Sequence, residues 1–126
     1  AWAGNNDISN ATDCFLFGKD SGDTNLQVMH NDNAGTCTKV NLGAGFPANT
    51  SATDMYEGRL WIPPNGSTLY YWIKNLITGA EADGSVNSDL PTTTTAMAAG
   101  TWFATGATSG VHAGAFCQLY TATGMP

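Results

Sequence analysis

The stretch that decides the fold is MYEGRLWIPPNGSTLYYWIKNL, residues 55–76. Alternate side chains of a strand point to opposite faces, so Leu60 and Ile62 share one face of the first half. A turn follows at residues 63–66, Pro-Pro-Asn-Gly, because proline presets φ and Asn-Gly tolerates positive φ. The chain then returns with the same alternation over residues 69–74. The segment therefore predicts an antiparallel hairpin with one apolar face and one aromatic, charged face.

A register for this hairpin follows from its side chains. One alignment places three complementary pairs opposite each other: a charge pair, a cation–π pair and an aromatic pair. These pairs are Glu57 with Lys74, Arg59 with Trp72, and Trp61 with Tyr70. The opposite face holds the predicted core residues Leu60, Ile62, Leu69 and Ile73. We name the face that carries Arg59, Trp61, Tyr70 and Trp72 the aromatic face, and these four residues are the candidate site.

The aromatic face has three interpretations at this point. If the two faces of the hairpin are reversed, a second sheet covers it. It is a subunit interface in the second interpretation, since Trp, Tyr and Arg are enriched at interfaces. In the third, it binds sugar rings, whose C–H faces suit flat aromatic side chains. An exposed apolar patch calls for one of these partners.

Composition limits the class of protein. The chain has 126 residues, which suits one domain, and only 11% are charged, against roughly 25% in an ordinary soluble domain. Few Glu, Lys and Arg argue against a helical bundle, whereas 42% hydrophobic residues argue against disorder. A net charge of -6 argues against a nucleic-acid partner. The sequence also lacks an apolar run of about 18 residues, the length that would predict insertion into a membrane.

Short strands separated by turn residues continue on both sides of the hairpin. A second hairpin is predicted over residues 26–42, with a loop of about five residues. Shorter strands are predicted near residues 14–17 and 85–88, at 102–103 and at 116–121, and residues 78–84 are predicted to be a polar excursion. The chain is thus expected to be an all-β, antiparallel β-sandwich of about seven to nine strands.

The three cysteines, Cys14, Cys37 and Cys117, are far apart and form no CxxC motif. This spacing is typical neither of a disulfide framework nor of a zinc site, and buried thiols are the simplest expectation. First and last strands often lie side by side in closed sandwiches. If one pair of cysteines is bridged, the predicted pair is therefore Cys14 and Cys117.

Catalytic motifs are hard to assemble from this sequence. His30 and His112 have no nucleophile motif beside them, and His30 is expected to be a surface turn residue. Glu57 and Glu81 are the only glutamates, and Glu57 is predicted to pair with a lysine. The stretch 20–25 clusters oxygen donors but lacks EF-hand spacing, and its residues also suit a tight turn. We expect no enzyme activity, no cofactor and no metal.

A series of motifs runs in order along most of the chain, roughly residues 10–121. The motifs are Asp20-Ser21-Gly22-Asp23-Thr24-Asn25-Leu26-Gln27, His30-Asn31-Asp32, Gly35-Thr36, Thr38-Lys39, Leu42-Gly43, Phe46-Pro47, Tyr56-Glu57, Pro63-Pro64-Asn65-Gly66-Ser67, Leu76, Thr78-Gly79, Leu90-Pro91, Trp102 and Leu119-Tyr120. In these motifs the chain resembles a C-terminal domain found in structural proteins of tailed bacteriophages, of the tail-fibre and minor-tail-protein type.

The resemblance implies a jelly-roll-like, concanavalin-like β-sandwich at the end of a virion appendage, often trimeric. Residues 1–126 would then be a single domain, the C-terminal part of a longer virion protein. The resemblance implies no catalytic residues and no ligand-binding residues in this sequence. The chain departs from the pattern at Gly58, where a large apolar residue is expected after Tyr56-Glu57, and at residues 120–124, which lack the acidic tail that often closes the family.

The expected function is therefore that of a non-enzymatic appendage domain, a tail fibre or similar tip, that attaches to the host surface. A charge-poor, hydroxyl-rich surface suits an uncharged host glycan as a partner. The alternative function is a structural capsid-decoration, assembly or trimerisation module without receptor binding. In both cases the expected location is the virion, on tail or head, assembled in the host cytoplasm. Copies of the same chain, in a homotrimer, and other virion proteins are the further expected partners.

Overall fold

The computed structural model describes residues 8–20, 22–48 and 53–92. Over these ranges the chain is all-β, with two antiparallel three-stranded sheets, one 3-10 turn and no α-helix. No helix long and apolar enough to cross a membrane occurs in them. The predicted strands at 102–103 and 116–121 lie outside the described residues.

The two sheets follow each other along the chain, and each has its strands in sequence order. The 3-10 turn is Ile8–Asn10; the first sheet consists of β1 (Cys14–Gly18), β2 (Gln27–Asn31) and β3 (Thr38–Asn41); the second consists of β4 (Tyr56–Trp61), β5 (Leu69–Asn75) and β6 (Glu81–Val86). Both predicted hairpins are confirmed, as β2–β3 and β4–β5.

The turn between β4 and β5 forms as its residues predict. Asn65 adopts a positive φ of 57°, and the N–H of Gly66 donates to the carbonyl oxygen of Pro63 over 2.8 Å. A left-handed residue at this point is tolerated by asparagine, which explains why the Asn-Gly pair marks the turn. The turn therefore fixes which residues of β4 and β5 face each other.

The position of β6 differs from the prediction. The segment 78–84 was expected to be a polar excursion, but β6 begins at Glu81 and pairs with β5 along its whole length. The reversal is completed earlier, at Gly79, which has a positive φ of 79°. Asp83-Gly84 has the composition of a turn, yet Gly84 lies within the strand, where the ring of Tyr71 occupies the space that a Cβ would take.

The two sheets meet through Phe17 of β1 and Gly58 of β4. A Cβ built on Gly58 would lie 2.6 Å from Cε2 of Phe17, closer than real Cβ atoms come. Gly58 is opposite Ile73 in the register, so this contact lies on the core face of the second sheet. The absence of a side chain at Gly58 is thus explained by the phenylalanine ring of the neighbouring sheet.

Burial is greatest in the middle strand of each sheet. Every residue of β2 is buried, and Leu69 and Ile73 of β5 are buried as predicted. Val28 and Phe17 face each other in the register, so Val28 points toward the second sheet, while Met29 points away from it. Met29 packs in a cluster with Ala11, Cys14, Cys37 and the half-buried Leu16.

Both middle strands end in a fully buried asparagine. Asn31 ends β2 and Asn75 ends β5, and neither has measurable exposure. In each case the side-chain oxygen accepts two backbone N–H bonds from the turn that follows. The side-chain amide donates to a neighbouring segment: Asn31 to Ala11, Asn75 to Gly45. These residues therefore shape the turn and attach it to the rest of the molecule.

Candidate functional site

The predicted register of the aromatic face is confirmed. Arg59 lies opposite Trp72 and Trp61 lies opposite Tyr70. The rings of Trp61 and Tyr70 stack with centroids 5.6 Å apart and planes 19° apart. The guanidinium carbon of Arg59 lies 5.1 Å from the ring centroid of Trp72. The structure thus brings all four predicted site residues together in two adjacent rows.

The aromatic face is exposed rather than packed against the other sheet. Trp61 is 46% exposed and Tyr70 is 38% exposed. Among the described residues, the contact between sheets that involves β4 is on the other face, where Phe17 meets Gly58. The interpretation in which the hairpin faces are reversed is therefore wrong.

The predicted position of Glu57 opposite Lys74 is confirmed, but the close ion pair of this lysine is with another carboxylate. Lys74 instead donates to Oε1 of Glu81 over 2.7 Å, and Glu57 pairs with Arg59 at 3.3 Å. The reason is β6, which places Glu81 directly opposite Lys74 on the other side of β5. Lys74 lies in the middle strand and therefore faces Glu57 of β4 on one side and Glu81 of β6 on the other. The hairpin sequence indicates only the first of these.

The third strand adds a row of polar side chains that the sequence analysis missed. Ser85, Asp83 and Glu81 lie opposite Tyr70, Trp72 and Lys74. They were missed because low β-propensity and the Asp-Gly pair argued for a loop. The alternation of polar with small or apolar residues over 81–86, Glu-Ala-Asp-Gly-Ser-Val, is the signal that could have found them. The aromatic face is therefore bordered by carboxylate and hydroxyl oxygens on the β6 side.

The charges beside the aromatic rings are stably ionised. Lys74 lowers the pKa of Glu81 through a hydrogen bond and its positive charge, and Glu81 raises the pKa of Lys74 in the same way. Glu81 is thus a carboxylate at neutral pH. It can accept hydrogen bonds from a ligand, but a general acid requires a raised pKa, which is the opposite shift.

His30 is not the surface turn residue that the sequence suggested. It lies in β2 with 1% exposure, and its Nδ1 lies 2.9 Å from the carbonyl oxygen of Asp89, to which it can donate. The strand places it on the same face as Val28, toward the second sheet. His30 therefore connects β2 to the segment after β6.

The cysteine prediction, buried thiols, is confirmed for the described cysteines. Cys14 is a free thiol whose sulfur lies 3.6 Å from the sulfur of Cys37, so the condition under which Cys14 was expected to pair with Cys117 is not met. Cys117 lies outside the described residues. Buried thiols were the simpler expectation, and Cys14 and Cys37 are both buried.

The oxygen-rich stretch considered for calcium holds a lysine instead. Lys39 of β3 donates to Oδ2 of Asp23 over 2.9 Å and forms an ion pair with Asp20. No group of three or more potential metal-binding side chains occurs in the described ranges. The ammonium of Lys39 supplies the positive charge that a cation would bring. Burial opposes ionisation of Asp23, but the backbone N–H of Asp20 and the Lys39 ammonium outweigh it and hold its pKa below the usual value.

Replacing Lys39 with methionine is expected to lower the free energy of unfolding by about 1–2 kcal/mol at pH 7, because two partly buried carboxylates lose their counter-charge. A lowered pKa means that the stabilisation from Asp23 is present above about pH 4 and is lost as pH falls through the folded-state pKa. The difference between variant and wild type should therefore shrink below pH 4, measured by urea unfolding from pH 7 to 3.

Lys74→Met is the matched control, since it removes an ion pair from an exposed position. It should change the stability curve little at any pH. A Lys39→Met curve that runs parallel to wild type down to pH 3 would contradict the role given to Asp23.

An open cleft of about 230 Å³ lies elsewhere, between the β4–β5 turn and the segment after β6. Its lining includes the polar side chains of Asp32, Ser67 and Asn87 and no aromatic side chain. It offers hydrogen bonds but no flat apolar surface. The aromatic face is the stronger candidate site because it combines both.

No protein-family model, curated protein or solved structure matches the chain.

Proposed function

We propose that the chain is a non-enzymatic appendage domain of a tailed-bacteriophage virion, a tail fibre or similar tip, that attaches to the host by binding an uncharged glycan on the aromatic face. The observation that carries the proposal is the exposed, stacked pair Trp61 and Tyr70. The phage assignment rests on the ordered motifs described above. The glycan assignment rests on the chemistry of the face.

The arrangement of the face suits a sugar ring. The C–H groups of a pyranose carry partial positive charge and are attracted to the negative face of an aromatic ring. The hydroxyl groups around the ring edge need donors and acceptors at its border. Arg59 supplies donors, and Glu81 and Asp83 supply acceptors beside Trp72. A flat apolar centre with a polar border is the combination that such a ligand requires.

Several features favour binding without catalysis. Glycoside hydrolysis requires a protonated carboxylic acid and a second carboxylate on opposite sides of the scissile bond. Glu57 and Glu81 are the only glutamates, and each pairs with a cation of the same face. The lowered pKa of Glu81, caused mainly by its hydrogen bond with Lys74, keeps it ionised. Its role is then to accept hydrogen bonds.

We also propose that the complete domain has more strands than the six described. The chain would be a jelly-roll-like, concanavalin-like sandwich of about seven to nine strands, and it would act as a homotrimer in the virion beside other virion proteins. Two antiparallel sheets in contact at Phe17 and Gly58 are consistent with such a fold. The additional strands would come from residues 102–103 and 116–121.

Trp61→Ala is expected to weaken glycan binding about tenfold, because one stacking surface of roughly 1–1.5 kcal/mol is lost. Wild type is first applied to an array of bacterial surface oligosaccharides, and the affinity of the best-bound oligosaccharide is then measured for both proteins by calorimetry. Circular dichroism checks that the variant retains its fold.

Ile77→Ala is the matched control. Ile77 is 64% exposed but lies in the turn after β5, outside the aromatic face, so its truncation should leave affinity unchanged. Equal affinities for wild type and Trp61→Ala would remove the aromatic face from glycan binding. An array on which wild type binds nothing would count against the glycan as ligand.

The alternative function is a structural capsid-decoration, assembly or trimerisation module, in which copies of the chain pack against each other through the aromatic face. The same exposed Trp61 and Tyr70 favour it, because aromatic residues and arginine are enriched at interfaces. Light scattering coupled to size exclusion separates the two functions. A stable trimer that dissociates on Trp61→Ser supports the structural module. A trimer that persists in that variant leaves the face available to a ligand.

A further inference from the structure

Two buried cysteine side chains meet on the side of the first sheet that faces away from the second. Cys14 begins β1 and Cys37 directly precedes β3, and both are buried. Their sulfur atoms are 3.6 Å apart. This pair is remote from the aromatic face, which belongs to the second sheet, so its chemistry is independent of glycan binding.

The backbone explains why these two residues are neighbours although β2 lies between their strands. β2 ends at Asn31, and beyond that point the chain before β1 lies directly beside the chain before β3. The N–H of Cys37 donates to the carbonyl oxygen of Ser9 over 2.7 Å. Both thiols can also donate to the carbonyl oxygen of Ala11, Cys14 over 3.8 Å and Cys37 over 3.4 Å. The two side chains thus converge on one backbone position.

We propose that Cys14 and Cys37 form an oxidation site that closes to an intramolecular disulfide when the protein meets a peroxide. A disulfide bond is about 2.05 Å long, so the sulfur atoms must approach by about 1.5 Å. Rotation about the Cα–Cβ bonds of both residues moves a sulfur by this amount. A peroxide is the appropriate oxidant because it is small enough to reach buried thiols.

Cys37 is the nucleophile of the first step. The sulfur atoms of Cys14 and Cys37 lie within hydrogen-bond distance, and this contact lowers the pKa of Cys37 while it raises the pKa of Cys14. The thiolate of Cys37 attacks one oxygen of hydrogen peroxide, the O–O bond breaks, and a sulfenic acid and hydroxide result. The sulfur of Cys37 is oxidised by two electrons and the peroxide is reduced.

Cys14 completes the bond in the second step. Its sulfur attacks the sulfur of the Cys37 sulfenic acid, the S–O bond breaks, and the departing hydroxide takes the proton of Cys14 as water. The sum is two thiols and one hydrogen peroxide giving one disulfide and two waters. The negative charge that disfavoured ionisation of Cys14 is absent once Cys37 is a neutral sulfenic acid.

Tryptic peptides identify the partners without ambiguity. The four basic residues are Lys19, Lys39, Arg59 and Lys74, so cleavage places Cys14, Cys37 and Cys117 on the separate peptides 1–19, 20–39 and 75–126. The full chain is treated with hydrogen peroxide, its remaining thiols are alkylated, and the digest is analysed by mass spectrometry. We expect peptides 1–19 and 20–39 joined by a disulfide and an alkylated Cys117.

Two variants test the assignment. Cys117→Ser should form the same linked peptides, and Cys37→Ser should form none between 1–19 and 20–39. A disulfide from either peptide to 75–126 would overturn the proposal. So would oxidation of Cys37 to the sulfinic acid with Cys14 still alkylated.

A melting experiment gives a second readout. The disulfide closes a loop of about 23 residues and restricts the unfolded chain, so the oxidised protein should melt roughly 10 °C above the same protein reduced with dithiothreitol. The Cys117→Ser variant should show the same shift. An oxidised protein that carries the bond but melts at or below the reduced form would contradict the geometry, because closure would then distort the sheet.

Discussion

Asn75→Leu is expected to lower the free energy of unfolding by about 3–4 kcal/mol, measured by urea denaturation of the full chain at pH 7. Leucine has nearly the same size, so the loss comes from hydrogen bonding rather than from a cavity. Asn75 is fully buried at the end of β5. The variant removes the hydrogen-bond partner of two backbone N–H groups in the following turn, of the Gly45 carbonyl oxygen and of the Asp54 carboxylate.

The four bonds of the Asn75 side chain explain the size of this effect. Its oxygen accepts the N–H groups of Ile77 and Thr78 over 3.0 and 3.3 Å, which shapes the turn into β6. Its amide donates to the carbonyl oxygen of Gly45 over 3.2 Å and to the carboxylate of Asp54 over 2.7 Å. Each buried polar group that loses its partner costs about 1–3 kcal/mol, and partial access of water reduces the sum.

Asn87→Leu is the matched control for this prediction. Asn87 follows β6 and is exposed, so the same change of side chain should alter stability by less than about 0.5 kcal/mol. If Asn75→Leu unfolds within 1 kcal/mol of wild type, the side-chain bonds of Asn75 do not hold the second sheet to the loop around Gly45.

The β4–β5 hairpin could be predicted from the sequence in detail. Its turn residues permit only a tight reversal, and its alternation separates Leu69 and Ile73 from Trp61 and Tyr70 without ambiguity. A one-residue slip would move every side chain to the other face, so complementary cross-strand pairs specify the register strongly. Local information was sufficient because every contact that fixes the hairpin lies within 22 residues of sequence.

Contacts between distant segments could not be predicted in the same way. The ion pair of Lys74 with Glu81 was missed because β6 was expected to begin near Ser85, and the sequence around Asp83-Gly84 has the composition of a turn. The buried positions of Asn31 and Asn75 were missed because asparagine after a strand ordinarily indicates a surface turn. Each asparagine does hydrogen-bond to the turn that follows it. It is also buried beside a distant segment, whose position cannot be inferred from the alternation of side chains.

The partners of Asp20, Asp23 and Cys14 could not be predicted for the same reason. The sequence has no local signal that Lys39 of β3 lies beside the two carboxylates. Nor does it show that the early end of β2 brings Cys37 to Cys14. Both outcomes depend on where neighbouring segments end, which composition and alternation do not determine.

Gly58→Leu is expected to destabilise the protein by about 2–3 kcal/mol, because it places a large side chain at the contact between the two sheets. The ring of Phe17 occupies the space into which a side chain at residue 58 would project, with Cε2 2.6 Å from the position of a Cβ. Either the ring or the strand must move to admit leucine. The effect is measured by urea unfolding of Gly58→Leu, of Phe17→Ala and of the variant that carries both substitutions.

Phe17→Ala provides the test of this cause. The truncation alone loses the apolar contact of a half-buried ring, at a cost of about 1–3 kcal/mol. In the double variant, leucine at residue 58 fills part of the space that the ring vacates, so the double variant should be more stable than the sum of the single effects by about 1–2 kcal/mol. Strictly additive effects would mean that the two sheets do not meet at this position. Since Gly58 lies on the core face, none of these variants should change glycan affinity, which separates the packing of the sheets from the function of the aromatic face.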